Sequence, residues 1–299
     1  MRHGKYPFII GFLVVPLALY GLFVIWAYIS MFRLSVTSWT GFGIAKSNGF
    51  DNYRRLWHDN VFWAALRHNV FLLILLPIIA IAISLFFAFL LNVGGNSKGG
   101  VTRGVWGSKG YRIIFFFPQL LALVIVAVIF SRVFGSDRSG MINGLFPSSW
   151  HPWLFLADER WALTCLLLVL VWQQIGFYVV LFSAAMGSIA PEIYEAAALD
   201  GATRPVLFFR ITVPLLWNTL QVAWVYLGIA AFDGFALVNL MTVNQGGPNN
   251  ATMLLSMDIY KNAFNGAAGY SSAIGVVLFF LTLTFAALTL RVTRRDVEA

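Results

Sequence analysis

The sequence has 299 residues, of which 60% are hydrophobic and 11% are charged, and its formal net charge is +8. A soluble domain has about 45 to 50% apolar and about 25% charged residues, so this composition excludes a protein whose main solvent is water. The basic residues form no run with interleaved exposed aromatics, which argues against a nucleic-acid partner; orientation in a membrane with an anionic inner leaflet explains the charge.

Apolar stretches long enough to cross a hydrocarbon core of roughly 30 Å as helices predict six membrane spans. They cover residues 8–32, 69–92, 113–134, 161–186, 214–240 and 271–291. The first is too long for the apolar region of a signal peptide, so we interpret it as a retained helix. Pro16, Pro77 and Pro118 fall within spans and predict kinks, because each removes a backbone donor.

The segment between the second and third spans, residues 93–112, contains four basic residues and no acidic one: Lys98, Arg103, Lys109 and Arg112. The positive-inside rule predicts that this segment is cytoplasmic. An even number of spans then places both termini in the cytoplasm.

The predicted cytoplasmic loop between the fourth and fifth spans, residues 187–214, contains the signals of a short helix. Pro191 suits a first helical turn, and Glu192 and Glu195 favour the positive N-terminal end. Alanines sustain the helix, and Gly201 can take the left-handed conformation that ends it.

A second short helix is expected to begin with Thr203 as its cap and Pro205 in its first turn, and to end near Pro214. The exposed face of this helix-turn-helix is predicted to mix acidic and apolar side chains: Glu192, Glu195, Asp200, Tyr194, Phe208 and Phe209. A loop this apolar predicts a protein partner.

The same loop resembles the signature of binding-protein-dependent ABC importer permeases. The matching residues are Glu195, Ala196, Ala197, Gly201, Ile211, Val213 and Pro214, with Val213 in place of the usual Leu. Residues 195–202 are similar to the carbohydrate (maltose-type) branch. Residues 50–69 and 246–274 resemble the stretches before the second and last spans of those permeases, so the resemblance covers about residues 8–291.

The resemblance implies an all-α integral membrane protein with six transmembrane helices, in the type I ABC importer permease fold with a cytoplasmic coupling helix. It divides the chain into an N-terminal helix and external segment, a permease core, a coupling loop within that core, and a cytoplasmic tail: residues 1–68, 69–291, 187–214 and 292–299. The implied location is a bacterial-type plasma membrane.

The implied function is that of a sugar transport permease subunit, which forms half of a translocation pathway. Its partners would be a second homologous permease, an ATPase dimer that binds ATP and Mg, an extracytoplasmic solute-binding protein, the sugar and membrane lipid. The residues expected to couple to the ATPase are Glu195, Ala196, Ala197, Asp200, Gly201, Ile211 and Pro214. The chain contains no Gly-x-x-x-x-Gly-Lys-Ser/Thr phosphate loop, so we expect no ATPase site, cofactor or catalytic residue of its own.

Two pairs of residues, each one helical turn apart within a span, are candidates for the substrate pathway: Gln174 with Tyr178, and Gln221 with Trp224. Amides can bind sugar hydroxyls, and aromatic rings can cover the CH faces of a sugar. Bonds between packed helices are the other interpretation of these residues. The four histidines show no ligand spacing, and the single cysteine, Cys165, is interpreted as a buried small residue, so no metal site is expected.

Other functions remain as alternatives. A permease for glycerol phosphate or another polar solute of the same importer family would have the same loop. A secondary transporter or a membrane-embedded enzyme would need acidic or nucleophilic groups within the spans, where Asp233 is the only acid. Asp233 is expected either to pair with a basic residue of the partner permease or to lie at the outer interface.

Overall fold

A computed structural model describes residues 5–93, 104–147 and 149–293, and within these ranges the chain forms helices and no β-strand. Lys98, Arg103 and residues 294–299 of the predicted tail lie outside the described residues. The α-helices are α1 (Lys5–Tyr20), α2 (Trp26–Ser35), α3 (Asp51–His58), α4 (Asn60–Asn92), α5 (Ser108–Leu120), α6 (Leu123–Val133), α7 (Met141–Gly144), α8 (Ala162–Gly187), α9 (Pro191–Leu199), α10 (Arg204–Val206), α11 (Val213–Leu215), α12 (Trp217–Phe232), α13 (Phe235–Met241), α14 (Leu255–Phe264) and α15 (Ala268–Thr293). A π-helical turn, Gly21–Ile25, joins α1 to α2, and a second one, Leu207–Thr212, joins α10 to α11.

Four helical segments of the described chain are long and apolar enough to cross a membrane: Gly11–Ser35, Asn60–Asn92, Ala162–Gly187 and Ala268–Arg291. Two bent pairs meet the same criterion when each is taken as one span, which gives six. The bend between α5 and α6 is 94°, and the bend between the segment Arg204–Leu215 and α12 is 74°. The predicted third and fifth spans are therefore broken rather than continuous.

A proline lies near each break. Helix α5 ends two residues after Pro118, and α11 ends one residue after Pro214. By contrast, α1 and α4 continue through Pro16 and Pro77.

Helix α4 begins nine residues before the predicted second span, because the Asp59 carboxylate accepts a 2.8 Å hydrogen bond from the Val61 backbone amide and caps the helix.

Contacts divide the chain into two compact units. The first comprises the chain up to Trp63 together with Asp258–Leu281. In this unit the aromatic side chains of α2 pack on α15, with the ring centroids of Phe32 and Phe279 5.8 Å apart and those of Tyr28 and Phe279 5.1 Å apart. These edge and tilted arrangements are the favourable ones for aromatic pairs.

The first unit also contains a cluster of charged groups around Asp258, which is 3% exposed. Asn262 donates a 2.8 Å hydrogen bond to one carboxylate oxygen of Asp258, whereas the other oxygen has no partner among the described residues. Nearby, the Tyr270 hydroxyl donates a 2.6 Å hydrogen bond to Asp59, and the Arg55 guanidinium lies 4.0 Å from the centre of the Tyr270 ring. Burial, and then repulsion by Asp59, raise the pKa of Asp258 to about 6.

Replacing Asp258 by asparagine is expected to stabilise the protein at pH 8. Because the folded-state pKa is raised above the ordinary value of 3.8, the carboxyl imposes no penalty well below pH 4. The penalty grows as the pH rises from about 4 to about 6 and is complete above that, at about 3 kcal/mol. The midpoint of thermal unfolding of D258N should therefore exceed that of the parent at pH 8, and the difference should shrink steadily towards pH 4.

Asp51 provides the matched control, since it is an exposed aspartate on α3 whose side chain forms only a surface ion pair with Arg54. D51N should leave the midpoint within about a degree of the parent at every pH, because an exposed pair contributes little. A D258N protein that is less stable than the parent at pH 8 would contradict the assigned penalty.

The second unit comprises Ala64–Met257 and the residues from Thr282 onward. Its core includes the packing of α5 on α8, where Gly176 lets the two backbones approach: a Cβ at this position would clash with the Phe115 carbonyl. Asn69 is fully buried; its amide nitrogen donates to the Ala231 carbonyl, and its oxygen accepts from the Leu255 amide, both at 2.9 Å. These bonds tie α4 to the end of α12 and to the start of α14.

Candidate functional site

Helix α9 forms as its sequence predicts. Ala190 precedes the helix with extended ψ, Pro191 occupies the first turn, and Glu192 supplies a negative charge at the N-terminal end. The alanines that follow have the highest helix propensity. The helix ends at Leu199 after nine residues, with Asp200 as its C-cap.

Gly201 ends α9 in the predicted left-handed conformation, with φ +78°. The Ala202 amide donates to the Ala197 carbonyl at 2.9 Å, and the Gly201 amide donates to the Ala198 carbonyl at 3.1 Å. This pair of bonds is the Schellman arrangement, which satisfies carbonyls that the helix leaves free. The glycine therefore fixes the direction in which the chain leaves α9.

One buried hydrogen bond connects α9 to the segment that leads into the fifth span. The Tyr194 hydroxyl lies 3.1 Å from the Thr212 hydroxyl, which itself donates to the Leu207 carbonyl at 3.0 Å. Because Thr212 donates to Leu207, Tyr194 is the donor in the first bond. Thr212 ends the π-helical turn Leu207–Thr212, a kind of distortion that occurs frequently at functional sites.

Tyr194 was expected on the exposed face, but it is only 4% exposed. Burial raises the pKa of its hydroxyl, so the group remains a neutral hydrogen-bond donor. The expectation for Phe208 also fails in part, because its ring packs on Phe89 with the centroids 5.0 Å apart. Phe209, in contrast, is exposed as predicted.

The face of α9 opposite Tyr194 is open and carries Glu192, Ala196 and Leu199, with Ile193 and Asp200 beside them. Leu199 is 86% exposed and Ile193 is exposed as well. Sequence reasoning missed both, although the helical period that places Tyr194 inside would have placed Leu199 outside. We call this set of five residues the α9 face.

The predicted coupling residues lie on α9, on the turn that ends it and on the segment that leads into the fifth span. Glu195 is half-exposed at the edge of the α9 face, Ala197 is half-buried, and Asp200 and Gly201 follow directly. Ile211 is half-buried within the π-helical turn, and Pro214 is exposed in α11. Neither the Glu195 nor the Asp200 carboxylate forms a hydrogen bond or ion pair with another described residue.

The predicted pathway residues lie on two helices that pack against each other, α8 and α12. Tyr178 is 4% exposed, with its ring against Phe177 and Phe182. Gln174, Gln221 and Trp224 are partly exposed. Asp233 is exposed at the break between α12 and α13. A role of these residues in solute transport stays a prediction.

The fold defines a multi-pass membrane protein with a short helix, α9, outside its spans. No family model matches the chain. It is 37% identical to the diacetylchitobiose uptake system permease protein NgcF of Streptomyces coelicolor, over 98% of this chain and 84% of that protein. It is 31% identical to the sn-glycerol-3-phosphate transport system permease protein UgpA of Escherichia coli, over 93% of this chain and 90% of that protein.

A solved structure supports the same fold. The chain matches the crystal structure of a bacterial ABC transporter involved in the import of the acidic polysaccharide alginate, with a TM-score of 0.79, 23% identity and 98% of each chain covered. The chain therefore belongs to the family of ABC importer permease subunits, in its carbohydrate-uptake branch. The predicted fold class is confirmed.

Proposed function

We propose that this chain is half of the translocation pathway of an ATP-driven sugar importer and that it receives the ATPase through the α9 face and the loop Glu195–Pro214. The relationship to sugar uptake permeases supports the solute class. A glycerol phosphate solute is the second candidate, supported by the identity with UgpA. Ligand binding by the importer's solute-binding protein separates the two, because a protein that prefers glycerol phosphate to every sugar would refute the first.

The assembly that we propose contains this chain, a second homologous permease, an ATPase dimer that binds ATP and Mg, and an extracytoplasmic solute-binding protein. It lies in a bacterial-type plasma membrane with both termini of this chain in the cytoplasm. The chain has no phosphate loop in its sequence, so the free energy of ATP hydrolysis is supplied by the partner.

The exposed Leu199 side chain is the observation that carries this proposal. A leucine that is 86% exposed, on a short helix outside the spans, is stabilised when a partner removes it from water. Ala196 lies between Leu199 and Glu192 on the α9 face, and its small side chain allows a partner backbone to approach closely. The Tyr194–Thr212 hydrogen bond then links any movement of α9 to the start of the fifth span.

The direct test is purification of the tagged chain from its native membrane in mild detergent. We expect a second permease and an ATPase to copurify, and the complex to hydrolyse ATP faster when the loaded solute-binding protein is added. Transport by the isolated chain in liposomes, driven without ATP, would refute the proposal.

Replacing Leu199 by aspartate is expected to weaken association with the ATPase by about tenfold or more. Full burial of a leucine contributes about 1.5 to 3 kcal/mol, and about 1.4 kcal/mol corresponds to a factor of ten. The amount of ATPase retained by the tagged permease, measured at several ATPase concentrations, gives the change in affinity.

Leu145 offers the matched control, since it is 81% exposed but lies just after α7, remote in sequence from the α9 face. L145D should retain the ATPase at the parental level. Equal loss of ATPase in both variants would indicate a general effect of the charge and would count against the α9 face.

A further inference from the structure

A cavity of about 380 Å³ lies within the second unit, near the N-terminal end of α4. Its walls come from α4, from the turn that precedes α8, from the first turn of α8, and from residues 249–251. The walls contain both polar and apolar groups, and the polar side chains are Arg67, His68, Glu159, Arg160, Thr164, Asn249 and Asn250. In the predicted topology this end of α4 faces the outside. None of the predicted coupling or pathway residues lines it.

The walls are held in place by hydrogen bonds. The His68 Nδ1 atom lies 2.9 Å from the Met253 carbonyl and therefore donates to it, which leaves Nε2 as an acceptor. Asn69, the next residue, is clamped to the Ala231 and Leu255 backbones. Asn249 takes a left-handed conformation, with φ +48°, and its amide donates to the Glu159 carboxylate.

The charges of the cavity are unbalanced. The Arg67 and Arg160 guanidinium groups form no hydrogen bond or ion pair with another described residue. The single carboxylate, Glu159, already accepts a hydrogen bond from Asn249. Two exposed cationic groups thus lie beside one partly satisfied anion at the cavity wall, and each guanidinium offers a planar set of donors that matches a carboxylate or a phosphate.

We propose that this cavity binds the acidic group of a solute that also carries hydroxyls, such as a sugar acid or a sugar phosphate. The two arginines bind the acidic group, and the Thr164 hydroxyl and the free Glu159 oxygen bind solute hydroxyls. The cavity volume falls within the range of about 300 to 1,000 Å³ that is usual for small-molecule sites. This inference rests on the proposed function and narrows the solute class to anionic carbohydrates.

The experiment uses the purified importer complex in nanodiscs of zwitterionic phosphatidylcholine, with glucuronate and glucose as probes in isothermal titration calorimetry. We expect glucuronate to bind more tightly than glucose, and R67Q and R160Q each to weaken glucuronate binding by about tenfold, since each removes a charge-assisted hydrogen bond. E159Q should bind glucuronate as tightly as the parent or more tightly, because it removes a repelling charge and keeps an acceptor for Asn249. Glucose binding should not change in any variant.

R54Q is the control, because Arg54 is an exposed arginine on α3 outside the cavity, and it should bind glucuronate like the parent. Parental glucuronate binding in R67Q and R160Q, in a complex that still hydrolyses ATP in response to its binding protein, would refute the cavity while leaving the proposed function intact. Repeating the titration in phosphatidylglycerol nanodiscs tests whether the anion that binds the arginines is a lipid headgroup instead of a solute. If the arginines alter phosphatidylglycerol binding only, the cavity takes lipid headgroups and the proposal is wrong.

Discussion

Replacing Gly201 by valine is expected to separate ATP hydrolysis from solute transport. The φ of +78° at this position costs a residue with a Cβ about 1 to 2 kcal/mol, and a β-branched residue adopts it least readily. The variant chain must leave α9 in a different direction. It therefore cannot keep both the orientation of the α9 face and the Tyr194–Thr212 hydrogen bond. Transport into proteoliposomes should fall by about tenfold or more, while the permease still reaches the membrane.

Replacing Gly201 by asparagine tests whether the variant loses activity through its backbone conformation or through the size of the added side chain. No atom lies within 4 Å of a Cβ built on Gly201, so a side chain meets no steric obstacle within this chain, and asparagine visits the left-handed region more readily than other residues. We expect G201N to retain most of the transport that G201V loses. Equal activity of G201V and the parent would show that the left-handed turn is not needed for coupling.

Replacing Gly176 by alanine is expected to destabilise the membrane core. A methyl group at this position would overlap the Phe115 carbonyl of α5, and backbone cannot move aside as a flexible side chain can. Overpacking of this kind costs about 1 to 3 kcal/mol or more. The midpoint of thermal unfolding in detergent, followed by size-exclusion chromatography, should fall by several degrees, and the yield of monodisperse protein should fall with it.

Gly187, the last residue of the same helix, provides the matched comparison. Nothing lies within 4 Å of a Cβ built there, and its φ is not positive. G187A should therefore be neutral or slightly stabilising, because alanine has the higher helix propensity by about 1 kcal/mol. If both alanine variants unfold at the parental temperature, the α5–α8 contact is not as close as described.

The sequence predicts the membrane class and the number of spans because both depend on the length and composition of apolar stretches, which need no partner to be recognised. Gly201 is predictable for a similar reason: a glycine that follows a run of helix formers is a local signal. A kink at Pro118 and a helix end near Pro214 were predicted, but bends as large as 94° and 74° were not. Hydropathy averages over a window, and a bent pair of apolar helices has the same average as a straight one.

The burial of side chains in the coupling loop was predicted less well. Tyr194 faces inward because its hydroxyl forms a hydrogen bond with the Thr212 hydroxyl, eighteen residues later. No local sequence pattern predicts that pairing. The burial of Tyr178 was difficult to predict for another reason. It lies in a span where almost every residue is apolar, so the sequence does not distinguish the buried face of the helix from the exposed one. Its exposure depends on which helices are neighbours.

The 94° bend between α5 and α6 sets a limit on what can surround the third span. Helix α6 has 11 residues, or roughly 17 Å of length, so it cannot by itself cross about 30 Å of hydrocarbon. When α5 and α6 together form one span, the peptide groups at the break lie within the bilayer, where they need protein or water as partners. The Leu121 amide donates to the Pro118 carbonyl, and Gln173 donates to the Leu121 carbonyl at 3.5 Å. Amides at the break that lack such a partner should exchange with deuterium faster than those of α8.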